Sequence, residues 1–317
     1  MQRLYGQLYF DDVASQSDLA ASIQEDHELI MATADGRVRF EARDEGIVAR
    51  ISSPPDLPVV YPVRETHFSG PAKAVLMDLD GTTILSEEYW ISAIEDTVRL
   101  LLQDENFAFS EEDLPHVAGY STREHLEYCL EKYQIDATIN DALQLNADVM
   151  QERFRELERN PGSPLLKPSP GLREFLLTLK ESRVKIGLVT SASERKALLE
   201  IRSVFSQIGL GDPLEFYDTI ITAGSFGCEK ACSTLGSLAS KPHPWLYLEA
   251  ARTGLGFADQ DRDRIIGIED SAAGVISLKL AGFAAIGMKD GNIASSGLRP
   301  LLHAECEFLP DLLPILL

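Results

Sequence analysis

Two aspartates separated by one residue, Asp78 and Asp80, close a short apolar run and are followed at once by Gly81 and Thr82. Side chains two apart on an extended segment project the same way, so the two carboxylates repel unless a cation or a shared proton joins them. A hard divalent cation with oxygen ligands relieves that repulsion, and Mg2+ beside a phosphate group is the common case. Gly81 permits close backbone approach, and Thr82 adds a hydroxyl. Alone, this segment also fits a solvated turn or a calcium loop.

Three further groups carry chemistry. Thr190-Ser191 offers hydroxyls and free amides at a strand-to-helix turn, which suits an anion and equally describes helix caps. Lys241 opens Lys241-Pro242-His243-Pro244-Trp245, where prolines stiffen the chain. A lysine held there is a fixed point charge for phosphate, or else a surface lysine; His243 reads as structural or exposed. Glu269-Asp270-Ser271 closes another apolar run, with Gly274 behind it. Its acids could complete an oxygen cage for a metal or simply favour a helix start, with Ser271 as cap.

The elements around these groups alternate. Residues 72–79, 184–190, 217–222, 264–268 and 284–287 read as strands. Residues 171–182, 194–208, 245–253 and 271–281 read as helices. Such alternation predicts βα units on a parallel sheet, whose ligands bind at the carboxyl ends of the strands. Helical periodicity from 87 to 158, seen in Ile91, Ile94, Val98 and Leu101 and later in Met150, Phe154 and Leu157, ends at a proline-rich stretch, 161–170. Residues 1–70 instead hold short apolar stretches, at 4–10, 29–32, 38–42, 47–51 and 59–63, divided by turn signals such as Asp35-Gly36 and Pro54-Pro55. These predict a β-rich appendage.

Composition narrows the partners. The 317 residues carry a formal net charge of -21, with 44% hydrophobic and 25% charged side chains. Such a surface repels nucleic acid, while a small anion still answers to the local field of a metal and a few donors. The cysteines Cys129, Cys228, Cys232 and Cys306 form no C-x-x-C pair and suit reduced thiols. No apolar run reaches a membrane span, and residues 1–12 lack the order of a secretory signal. A cytoplasmic enzyme without membrane or nucleic-acid partners is expected. It would be a monomer, or a homodimer if the appendage pairs its edges.

Together the four groups resemble the signature motifs of the haloacid dehalogenase superfamily, and most of all its branch of β-phosphoglucomutase-like phosphatases and mutases, over residues 72–290. The resemblance implies an α/β fold: a Rossmann-like parallel-sheet core (71–84 and 166–317), an inserted α-helical cap (85–165) and the appendage (1–70). It implies Asp78 as the nucleophile that forms an aspartyl-phosphate and Asp80 as general acid and base. It implies Mg2+ held by Asp78, the Asp80 carbonyl and Asp270, with Glu269 a second ligand or an acid one layer out. Thr190 and Lys241 would hold the phosphoryl oxygens, and Gly81, Thr82 and Ser191 would line the phosphate site.

Within the superfamily, Asp80 favours phosphoryl transfer, since dehalogenating members generally lack that second aspartate. Phosphonate-cleaving members use a cap lysine, and the cap's sole lysine, Lys132, lies outside its first helix. The segment 119–124 resembles the substrate-specificity loop of the mutases, with Arg123 reaching toward a distal phosphate or carboxylate. Trp90 stands where sugar phosphomutases tend to carry histidine, and Leu85 replaces a frequent acid. The expectation is therefore a phosphatase of a small phosphorylated metabolite, with sugar phosphates among the candidates. A phosphomutase comes second, and a non-enzymatic binding or regulatory protein third. The stretch 223–240, longer than this branch usually needs, reads as a functional or mobile loop.

Overall fold

The computed structural model describes residues 28–33, 38–43, 46–52, 59–110, 113, 122–162, 164–223 and 240–317. The chain forms two compact units. The described residues of the first fall within Met1–Thr83, Ser169–Ala197 and Leu210–Leu317; the second is Ile84–Pro168 with Leu198–Gly209. The expected apolar stretch at 4–10, the Asp35-Gly36 and Pro54-Pro55 turns, the 119–121 part of the specificity-loop segment and nearly all of 223–240 lie outside the described residues.

The first unit is built on a six-stranded sheet. Its strands are β5 (Ala74–Met77), β8 (Lys185–Thr190), β9 (Thr219–Thr222), β10 (Ile265–Glu269), β11 (Ala284–Met288) and β12 (Ala304–Cys306), in the order β12-β11-β10-β5-β8-β9. Every neighbouring pair is parallel. The expected α/β class with a parallel sheet is therefore the one observed. The near-continuous apolar runs follow from burial on both faces: Ala74, Val75, Leu76 and Met77 are all 0% exposed.

The chain leaves β5 toward β8 and β9, then returns to β10 on the other side. The crevice where strand order reverses, at the carboxyl ends of β5 and β10, is where such sheets bind ligands. The helices Leu172–Glu181, Glu194–Ile208, Trp245–Glu249 and Ala272–Ala281 link successive strands. The expected helix at 245–253 is α-helical only to Glu249 and continues as a π turn over Ala250–Gly254.

A separate four-stranded antiparallel sheet precedes this core: β1 (Glu28–Ala32), β2 (Val38–Arg43), β3 (Gly46–Ile51) and β4 (Val59–Pro62), in chain order. Along β3, Ile47, Ala49 and Ile51 are buried while Val48 and Arg50 are less so, as the two-residue period of a half-covered strand requires. That buried face joins Leu246, Tyr247, Ala250 and Val275 of the core in one hydrophobic cluster.

In the second unit the helices Glu87–Leu102, Thr122–Lys132 and Ile139–Arg159 pack around Ile94, Val98, Leu126, Cys129 and Ala142. A capping box between Thr138 and Asp141 starts the last of them. Short strands β6 (Ile84–Leu85) and β7 (Lys167–Pro168) pair antiparallel at the ends of its main segment. Asp113, fully buried, accepts from Ser110, Tyr128 (3.0 Å), Tyr133 (2.8 Å) and Lys132 (2.5 Å). Lys132 is thus committed to a structural pair. Cys129 and Cys306 are buried free thiols. Among the described residues no helix is long and apolar enough to cross a membrane.

Candidate active site

Asp78 follows β5 directly, and its amide still donates to Ile268 O of β10 (3.0 Å). The side chain therefore stands at the carboxyl end of a central strand, 7% exposed. Lys241 Nζ donates to its Oδ1, to Glu269 Oε1 (2.6 Å) and to the Val189 carbonyl (2.9 Å). Tyr247 donates its hydroxyl to the same Glu269 oxygen (2.6 Å), and Ser271 donates its amide (3.3 Å) and hydroxyl (3.0 Å) to the other. Glu269 is 0% exposed, so each of its oxygens is already engaged.

Asp270 lies beside these groups, and no side chain among the described residues donates to its carboxylate. Two glycines make room for it. A Cβ on Gly81, where φ is +77°, would stand 2.1 Å from Asp270 Oδ2, and one on Gly291 would stand 1.8 Å from the Asp270 carbonyl oxygen. Gly274 serves Glu269 in the same way, its Cβ position lying 1.8 Å from Glu269 Cδ.

Asp78, Glu269 and Asp270 bring one carboxylate oxygen each within 4.8 Å of one another. Against these three acids stands one buried cation, Lys241. Burial pushes the Asp78 carboxyl up to about 7; Glu269 and Asp80 push the same way and Lys241 opposes them. Burial, then Asp78 and Glu269, raise Asp270 well above the ordinary carboxylate range. Burial alone would lower Lys241, but the Asp78 and Glu269 carboxylates raise it above its ordinary value. A surplus of crowded acids, all oxygen donors, fits a hard divalent cation.

The other expected residues are placed as follows. Asp80 is engaged by Lys196, whose Nζ lies 2.8 Å from each carboxylate oxygen. The two aspartates thus meet different lysines. Thr190 ends β8, and its Oγ1 accepts from the Ala192 amide (3.0 Å). Ser191 Oγ accepts from the Lys241 amide (3.2 Å). Thr82 is 0% exposed, with its hydroxyl unpaired among the described residues. Its neighbour Thr83 donates to the Asp78 carbonyl (2.5 Å) and steadies the turn. Arg123 is exposed on its helix and pairs with Glu127 at 3.3 Å. His243 is buried, as a structural residue would be. Lys196 and Tyr247 were not expected. Lys196 sits 116 positions from its partner, whereas the spacing of Tyr247, one turn into the helix after Lys241, is a signal that could have been read.

The chain is 26% identical over 210 residues to the phosphorylated carbohydrates phosphatase of Thermotoga maritima, covering 66% of this chain and 82% of that protein. Among solved structures, a haloacid dehalogenase superfamily hydrolase of subfamily IA from Geobacter sulfurreducens aligns with a TM-score of 0.57 at 19% identity, over 80% of this chain and all of its own. The CbbY protein of Rhodobacter sphaeroides, in complex with phosphate, aligns with a TM-score of 0.52 at 19% identity, over 76% of this chain and 96% of its own. These two share the fold. The family model for haloacid dehalogenase-like hydrolases matches residues 72–282, from the start of β5 to the end of the helix after Asp270, and the chain belongs to that family.

Proposed function

We propose that this protein is a Mg2+-dependent phosphatase of small phosphorylated metabolites, with phosphorylated carbohydrates as the favoured class. The observation that carries the reading is the Asp78 carboxylate at the switch point of the sheet, paired with Lys241 and bordered by Asp270. The Thermotoga maritima relative, a phosphorylated carbohydrates phosphatase, supports the substrate class. Asp78, Asp270 and the Asp80 carbonyl would hold the cation, with Glu269 one layer out because its oxygens are taken by Lys241, Tyr247 and Ser271. Bound there, the cation would offset the repulsion between carboxylate and phosphate.

A carboxylate oxygen of Asp78 attacks phosphorus, and the bond to the leaving oxygen breaks as Asp80 gives that oxygen its proton. Asp80 then takes a proton from water, which attacks the aspartyl-phosphate and releases phosphate and free Asp78. Lys241 and the Thr190 hydroxyl hold the transferring oxygens, with Ser191 and the Gly81 turn beside them, so that positioning and charge stabilisation dominate. Trp90 occupies the position where sugar phosphomutases of the branch tend to carry histidine, which favours hydrolysis over mutase chemistry.

Phosphate release from an aryl phosphate and a panel of sugar phosphates, with Mg2+, tests the proposal. Asp78→Asn is expected to abolish release, and equal activity in the variant would refute the nucleophile. Isomerised product from hexose 1-phosphate with a bisphosphate primer, in place of free phosphate, would replace this reading by the mutase.

A further inference from the structure

We propose that Tyr61, on the N-terminal sheet, is a positioning residue for Lys241, and that β1–β4 brace the segment carrying this lysine. The inference rests on the functional reading above.

Among the described residues, few backbone bonds hold the lysine's own segment. Prolines on both sides of His243 remove two backbone donors. Among the described residues, the backbone donors left in this segment are Lys241 N, to Ser191 Oγ (3.2 Å), and His243 N, to Ser240 O (3.1 Å). Tertiary contacts must therefore set where Lys241 begins, and they converge on His243. Its carbonyl accepts from Ser277 Oγ (2.6 Å), and its Nδ1 shares a hydrogen bond with Tyr61 Oη (2.8 Å). The Tyr61 ring also stands edge-on to His243, with centroids 5.8 Å apart, and to Trp245 at 5.9 Å. His243 is 7% exposed, and burial holds its imidazole below its ordinary pKa. A buried ring nitrogen needs a partner, and the supplier is a residue outside the 72–282 segment that matches the family.

A second link runs through the hydrophobic core. Phe40 and Ala49 of the N-terminal sheet share a cluster with Tyr247. The Tyr247 hydroxyl meets the Glu269 oxygen that also receives Lys241. The sheet thus touches the segment at His243, two residues past the lysine, and belongs to one hydrophobic cluster with the tyrosine that shares its acceptor.

Tyr61→Phe removes the bond and keeps the ring. The variant is expected to fold and to lose roughly tenfold in kcat with KM within about twofold, as a displaced catalytic group would. With Mg2+ present, its affinity for fluoroberyllate, a phosphoryl mimic, should fall by a similar factor. In a Lys241→Met background, Tyr61→Phe should weaken that affinity no further. His243→Phe removes the other half of the bond, should match Tyr61→Phe, and serves if the latter fails to fold. Wild-type kcat and mimic affinity in a folded variant, or equal losses with and without Lys241, would overturn the brace. A wild type that releases no phosphate would sink the phosphatase reading alone, since the mimic arm is read without turnover.

Discussion

Asp78 is held between opposed forces. In an unfolded chain its carboxyl ionises near 3.8; in the fold, burial and neighbouring acids move this to about 7. Between those values the folded state keeps a proton that the unfolded state has lost, so folding stability falls as pH rises through that window. Calorimetry of metal-free protein should show a steeper loss from about pH 4 to 7 than Asp78→Asn shows. Mg2+ affinity should climb over the same range, because binding displaces the proton. Around this residue the sequence was informative about types and poor about pairings. Asp78 and Asp270 could be singled out because each follows a strand, and Lys241 because prolines flank its segment ahead of a helix. Lys196 was not, since the bond to Asp80 depends on how a helix start faces a strand end. The burial of Thr82 was not readable either: the motif supplies its hydroxyl, and the fold leaves it 0% exposed.

Among the elements, the Gly81 turn and the Asp113 junction carry the sharpest expectations. Gly81→Ala would set a methyl 2.1 Å from Asp270 Oδ2 at a φ of +77°. It should cost about 1–2 kcal/mol of stability. It should also remove most of the rise in thermal midpoint that Mg2+ gives the wild type, measured by melting with and without the ion. Asp113→Ala removes the shared acceptor of Tyr128, Tyr133 and Lys132. Chemical denaturation should report a loss of roughly 2–4 kcal/mol in the helical unit. Strands and helices with long apolar runs or full amphipathic turns were readable within a few residues, among them β5, β8 and the Glu194–Ile208 helix. β12 escaped because Ala304-Glu305-Cys306 has no apolar run; it exists through pairing with Ile286–Met288. The π turn at Ala250–Gly254 escaped because hydrophobic period does not distinguish it from a last α turn.

At the scale of the molecule, the part that matches the family ends at residue 282, before β11, and begins at 72, after the N-terminal sheet. Yet Phe40 and Ile51 on one side of that segment, and Ala285 and Leu298 on the other, belong to the same cluster as Leu246 and Val275. The limits of resemblance are therefore not the limits of a stable body. A chain cut to 72–282 would open the β10 edge that β11 covers and bare the apolar side that β1–β4 cover. An unpaired buried strand beside an exposed apolar patch is a template for self-association. Light scattering of such a fragment should find aggregates where the full chain stays dispersed. Residues that homology would discard would then keep the catalytic module from recognising itself.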